Sequence, residues 1–217
     1  MTFKLDSDLS AVNSVLAAIG QAPVTYLVGS GSEIENPEVA IVKRLIDETT
    51  VDIQNEEWQF NTEQFKPQSP AVQPNGKLEF VVPANALRMN LSGGQVYNYW
   101  DCVVRGDRIY NKVYHTTDVR EWTNINQNQP LYFDFVYHYE FEELPPVFQR
   151  YVTLRASQRA ATQLVSNAEL TKLIAEQVAM ARTACIEYDC NQGENNFMGW
   201  PTNTAYRSYM PFNTLAR

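Results

Sequence analysis

A chain of 217 residues, 44% hydrophobic and 19% charged, has the composition of a folded protein long enough to bury the core of one domain, or of one domain with a satellite lobe. Its formal net charge of −8 and pI of about 4.8 exclude a basic groove for a phosphate backbone at the level of the whole chain; an acidic surface serves solubility, or a channel wall that must not grip DNA. No apolar run is long enough to cross a bilayer, the first residues lack the basic-then-apolar order of a signal peptide, and Cys102, Cys185 and Cys190 are too few and too scattered for a disulfide framework.

The first element is a helix over about 9–19. Ser7 or Asp8 can cap it, and Leu9, Val12, Leu16 and Ile19 recur at helical spacing. Gly20 can take the left-handed conformation that ends a helix, and Pro23 prevents resumption. Gly29, Ser30, Gly31 and Ser32 then form a linker, since the Gly-Lys-Ser/Thr of a phosphate-cradling loop is missing. A second helix, about 37–56, opens on the N-cap Asn36, Pro37 at the first position, and Glu38 at the positive end of the dipole. Val39, Val42, Ile46 and Ile53 give its stripe. Trp58 and Phe60 either enter a strand or pin the helix end to the core.

Residues 66–76, "KPQSPAVQPNG", carry three prolines and a glycine and read as a loop. Beyond them the period changes from helical to alternating, which defines a β-rich lobe over about 77–141. "KLEFVVP", "ALRMNL", "VYNYWDCVV" and "RIYNKVY" are short strands, and Gly106-Asp107 marks a tight hairpin. That hairpin tip also accounts for the Arg105-Gly106-Asp107 tripeptide. "LYFDFVYHYEF" is the clearest strand. Its alternation puts Tyr132, Asp134, Val136, His138 and Glu140 on one face and Leu131, Phe133, Phe135, Tyr137, Tyr139 and Phe141 on the other.

"FEELPPVFQRYVTLRASQRAATQL" then starts a helix over about 145–165. Pro145 and Pro146 lack the donors that a first turn leaves unpaired, and Glu142 and Glu143 stand at its positive end. Phe148, Val152, Ala156, Ala160 and Leu164 form an i+4 row whose alanines let another helix come close. Gln149, Arg150, Arg155, Gln158, Arg159 and Gln163 cover much of the remainder. "SNAE" at 166–169 matches a capping box between Ser166 and Glu169. The last helix, about 167–190, presents Leu170, Ile174, Val178, Ala181, Cys185 and Tyr188 on one side. So short a turn makes the two helices an antiparallel hairpin. After Asn191 the chain is polar and irregular, yet it carries Phe197, Trp200, Tyr206, Tyr209 and Phe212. Disordered tails are usually poor in aromatics, so residues 197–217 read as an extended docking segment following a 1–196 domain.

No catalytic, cofactor or metal pattern emerges. His115 and His138 stand in no metal-spaced motif, and Gly-x-Ser-x-Gly and Cys-x-x-Cys are absent. Adjacent carboxylates such as Glu56/Glu57 and Glu142/Glu143 point different ways on a helix and make no glycosidase pair. Arg150, Arg155 and Arg159 share one helix. They are solvated with local pairs, or they face carboxylates of another subunit or DNA. With the five aromatics of the ending they form the candidate interface set.

Four segments carry a resemblance: "LSAVNSVLAAIGQAPVTYLVG" at 9–29, "WQFNTE" at 58–63, "FEELPPVFQRYVTLRASQRAATQL" at 141–164 and "MARTACIEYDCNQGENNFMG" at 180–199. In these the chain resembles the tail tubular protein A family, the head-to-tail adaptors of short-tailed, T-seven-like podoviruses. With the helices between them they span about half the chain, and the opening is the most specific part. The resemblance implies an α+β fold: an antiparallel helical bundle with a central antiparallel β-rich lobe and an extended tail. It also implies a non-enzymatic virion protein at the head–tail junction, made in the host cytoplasm. Such a protein forms a dodecameric ring with copies of itself, between the portal protein and the tail nozzle protein. Tail fibres attach near the nozzle junction, and genomic DNA passes through the lumen without sequence recognition or membrane insertion. The competing reading is a carbohydrate-binding or carbohydrate-hydrolysing tail protein, in which exposed aromatics stack on host surface glycans.

Overall fold

The computed structural model describes residues 7–27, 36–92, 100–123 and 130–192. Among these the fold is α+β, with four α-helices and small antiparallel sheets. The chain divides into two compact units. One is helical, drawn from Met1–Phe60 and Tyr139–Gln192; the other holds the strands, with described residues between Asn61 and His138.

In the helical unit, α1 (Asp8–Ala18) starts at Ser7, whose side chain accepts from the Ser10 N–H at 3.3 Å. It stops as the sequence requires. Gly20 sits at φ +80°, and two backbone bonds close the end, Gly20 N to Ala17 O and Gln21 N to Leu16 O. Asn13 then clamps the exiting chain with two bonds to Val24, donating to its carbonyl at 3.0 Å and accepting from its N–H at 2.8 Å. Helix α2 (Pro37–Gln54) has Asn36 as its cap, Pro37 in first place and Glu38 in the first turn. At its far end Trp58 and Phe60 pin the chain to the core, not to a strand. Trp58 Nε1 donates to Ile53 O at 2.7 Å, and both rings pack on Phe148, at 4.9 and 4.5 Å between centroids.

Helix α3 (Pro146–Ala160) packs against α1, α2 and α4 (Ala168–Gln192), so it forms the centre of this unit. The row Phe148, Val152, Ala156 and Ala160 is fully buried. Leu164, expected to extend that row, is instead exposed. Residues Ala161–Val165 form a wider π turn, closed by an i→i−5 bond from Ser166 N to Ala161 O. The extra residue per turn rotates Leu164 out of phase. The expected Ser166/Glu169 capping box is replaced by an Asn167 cap, whose Oδ1 accepts from Glu169 N at 3.0 Å and Leu170 N at 3.2 Å. Ser166 ends the preceding helix in the left-handed region, at φ +55°, so its side chain is not placed to cap the next one. Gln149 also departs from the polar face assigned to it. It is buried, and its Nε2 donates to Phe141 O at 3.1 Å and Glu142 O at 3.4 Å, tying the turn before α3 to the helix. The α3–α4 pair is antiparallel, since late α4 meets early α3: the Cys185 thiol lies 3.6 Å from Val147 O.

The β unit centres on β7 (Leu131–Tyr137), flanked by β1 (Thr62–Gln68) and β4 (Ala86–Leu91) in the order β1-β7-β4. The alternation of "LYFDFVY" holds over its first five residues: Leu131, Phe133 and Phe135 are buried, Tyr132 is exposed and Asp134 half-buried; beyond them Val136, expected on the other face, is buried along with Tyr137. The strand ends sooner than its pattern suggests, because His138 N already bonds Asn85 O and Phe141 opens a short 3₁₀ turn.

Two stretches thought to be loop are strand. Residues 66–68 belong to β1, and Ala71–Val72 (β2) pairs with Leu78–Glu79 (β3). Pro67, opposite Tyr132, is tolerated because β1 is an edge strand and a missing N–H on the open side breaks no ladder bond. The β2–β3 turn is closed by Gln73 N to Lys77 O at 2.9 Å, with Gly76 at φ +78°. The expected hairpin joins β5 (Cys102–Arg105) to β6 (Arg108–Asn111) across Gly106, at φ +63°, and Asp107. Phe80, Phe133 and Trp122 pack ring against ring behind it.

One buried charge organises this unit. Glu79, 3% exposed, receives bonds from Thr117 Oγ1 at 2.5 Å and Asn75 Nδ2 at 3.2 Å, and its Oε2 pairs with Arg108 Nε at 3.1 Å. The Thr117 bond is the chief reason its carboxyl lies below the usual range; Asn75 and Arg108 act in the same direction, against burial.

Candidate functional site

Helix α3 places its three arginines in different surroundings. Arg159 is taken up within the unit. Its guanidinium meets Glu48 at 2.9 Å, Asp52 at 3.2 Å and the buried Thr49 Oγ1 at 3.1 Å, all on α2. Arg155 donates to the buried Tyr151 hydroxyl at 3.0 Å, and Arg182 of α4 reaches the same oxygen at 3.1 Å while pairing with Glu56 at 2.8 Å. Arg150 alone of the three stands exposed, with no carboxylate partner among the described residues. The structure therefore does not gather the arginines into one patch. Phe197, Trp200, Tyr206, Tyr209 and Phe212 lie outside the described residues.

What surrounds Arg150 is apolar. Val147, Arg150 and Leu154 of α3 line a shallow groove with Gln177, Met180 and Ala184 of α4. The outer wall is α4, which packs on α3 through Ile174, Ala181 and Cys185 and leaves a second stripe uncovered. In that stripe Leu173 is 61% and Met180 73% exposed. Sequence reading overlooked it, although the signal is there: Leu173, Met180 and Ala184 repeat at seven and four residues, as Ile174, Ala181 and Cys185 do, one flank away. A helix with two apolar flanks has more surface than one neighbour can bury.

Other chemistry is spent on the fold. Burial first, then Asp101, pushes the Cys102 thiol up to about 12, and burial pushes Cys185 up to about 12. Burial lowers Lys43, but hydrogen bonds to Asp47 and Asp8, both at 2.8 Å, outweigh it and hold the ammonium charged between α1 and α2. Among the described residues no group of His, Cys, Asp or Glu is placed to hold a metal ion, and no helix is long and apolar enough to cross a membrane.

Fold and surface together define an α+β protein whose described polar side chains largely cap, clamp and bridge its own elements, and which leaves an apolar helix flank uncovered among the described residues. A family model described as Tail tubular protein matches residues 9–195. The chain belongs to the tail tubular protein family of podoviruses and is a structural component of the phage tail. No curated protein matches it.

Proposed function

We propose that this protein is a ring-forming head-to-tail adaptor, joining the portal to the tail nozzle and surrounding the channel through which DNA leaves. The observation that carries the reading is an exposed apolar flank on a stiff helical pair in a member of a phage tail family. A ring repeats one heterologous contact at every boundary, so it needs a rigid element that presents the same surface each time. The α3–α4 pair has that character, being capped at its turn by Asn167 and anchored to its own unit through Tyr151 and Arg182. A net charge of −8 suits a lumen that must not hold phosphates. Phe197, Trp200, Tyr206, Tyr209 and Phe212 serve as anchors on a neighbouring copy or on the portal; tail fibres attach near the nozzle junction. The protein turns over no substrate.

Mass measurement of the purified chain, alone and with its portal, tests this. A ring in at least one of the two cases is expected, as is density for the chain at the head–tail junction of imaged virions. A chain that stays monomeric in both, or is absent from that junction, refutes the proposal. Deletion of residues 197–217 is expected to leave a folded protein that no longer joins portal or nozzle.

A further inference from the structure

A ring contact that closes needs two different surfaces on each copy, one on each side. The α3–α4 groove supplies one: apolar walls of Val147, Leu154, Met180 and Ala184, with the uncompensated Arg150 among them. The same helical unit carries a second surface of complementary character. The segment Pro23–Leu27 carries Tyr26, 61% exposed at the edge of a depression, and its backbone is fixed two residues earlier by the Asn13 clamp on Val24. Beside it, Asn36 and Val39 border the same depression, and between them stands Glu38, exposed and without an ion-pair partner among the described residues. Within one copy neither surface covers the other.

We infer that the groove of one copy receives the Tyr26 segment of the next, with Arg150 facing Glu38 across the boundary; the assignment rests on the ring reading above. Three features favour this occupant. Tyrosine and arginine are the residues most often found at the energetic centre of an interface, each having an apolar body and a polar tip. The backbone leading to Tyr26 is clamped at Val24 before binding, so the segment loses less freedom on docking than a free loop would. And the one exposed cation of the groove is matched by an exposed anion in the helix turn that borders the Tyr26 depression, while Arg159 and Arg182 are already paired within their own copy.

The test uses full-length chains under whichever condition, alone or on the portal, gives the wild-type ring. Met180→Glu, which disables the groove, and Tyr26→Ala, which disables the segment, are each expected to raise the concentration for half-assembly by about tenfold or more. Mixed together, the two variants retain one working groove and one working segment per pair, so native mass spectrometry should show a heterodimer of the two and nothing larger. Arg150→Glu should block assembly, and adding Glu38→Arg in the same chain should restore it. Should Met180→Glu misfold by circular dichroism, the charge exchange decides alone. Rings formed normally by Met180→Glu or Tyr26→Ala overturn the assignment, as does failure of the charge exchange to restore assembly. Intact rings that have lost only nozzle or portal binding overturn it too, and give the groove to another occupant. A wild-type chain that makes no ring under either condition overturns the ring reading itself.

Discussion

Arg159 distinguishes a structural arginine from an interface arginine, and its worth can be estimated. The side chain is about a third exposed, and its two carboxylates are about half exposed, so each ion pair contributes only ~0.2–1 kcal/mol. The third contact differs. Thr49 is fully buried, and a charged donor on its hydroxyl contributes on the order of 1 kcal/mol or somewhat more after desolvation. Arg159→Ala should therefore lower stability by about 2 kcal/mol. Urea unfolding followed by circular dichroism at 222 nm measures this. Repetition in 1 M salt should remove about half of the loss, since the exposed pairs are screened and the Thr49 bond is not. A double-mutant cycle with Thr49→Val should return a coupling of about 1 kcal/mol. A loss under about 0.5 kcal/mol, or one that salt abolishes entirely, would refute the reasoning and return Arg159 to the set of residues free for a partner.

Glu79→Ala should cost about 2 kcal/mol, since Thr117 and Asn75 lose their acceptor while Arg108 keeps Asp107 and Gln73. Because the Glu79 carboxyl sits below its ordinary range in the folded state, its contribution is complete above that range and fades as pH falls through the lowered value. Tryptophan fluorescence of the β unit should show this loss as pH falls below the ordinary carboxylate range, and Glu79→Gln should flatten that part of the profile. An unchanged acid profile in the Gln variant would contradict this. A thiol reagent at pH 8 should modify the exposed Cys190 first, the half-buried Cys102 more slowly, and the buried Cys185 only once the chain is unfolded; equal rates for Cys185 and Cys190 would overturn the burial argument. Gln149→Glu sets an anionic oxygen against the carbonyls of Phe141 and Glu142 and should cost on the order of 3 kcal/mol at neutral pH. Gln149→Met loses only the hydrogen bonds and should cost about 1 kcal/mol; thermal melts giving the reverse order would sink that account.

Signals confined to a few neighbouring residues were legible in the sequence. Ser7, Gly20, Asn36-Pro37, Pro145-Pro146 and Gly106-Asp107 set element ends through backbone chemistry that depends on nothing distant, and the structure places them as expected. The alternation of β7 and the row from Phe148 to Ala160 were equally plain, since each period needs one face in the core. The four segments that carry the family resemblance also lie in plain sight, and the family model spans them.

Other features depended on partners far along the chain. Pro67 looked like a loop residue because its sequence cannot say that β1 has one open edge. Leu164 looked like core because periodicity assumes an unbroken α-helix, and the π turn shifts its phase. Gln149 was assigned to the polar surface and Arg159 to the candidate interface set, yet one is enclosed by its own turn and the other is drawn to α2 by Thr49, Asp52 and Glu48. The buried flank of α4 was the one its period named, but the second flank, from Leu173 to Ala184, went unread because nothing in the sequence says how much of a helix one neighbour can cover. Local backbone chemistry is written in sequence order; packing depends on which distant surfaces meet, and that was decided only when the chain folded.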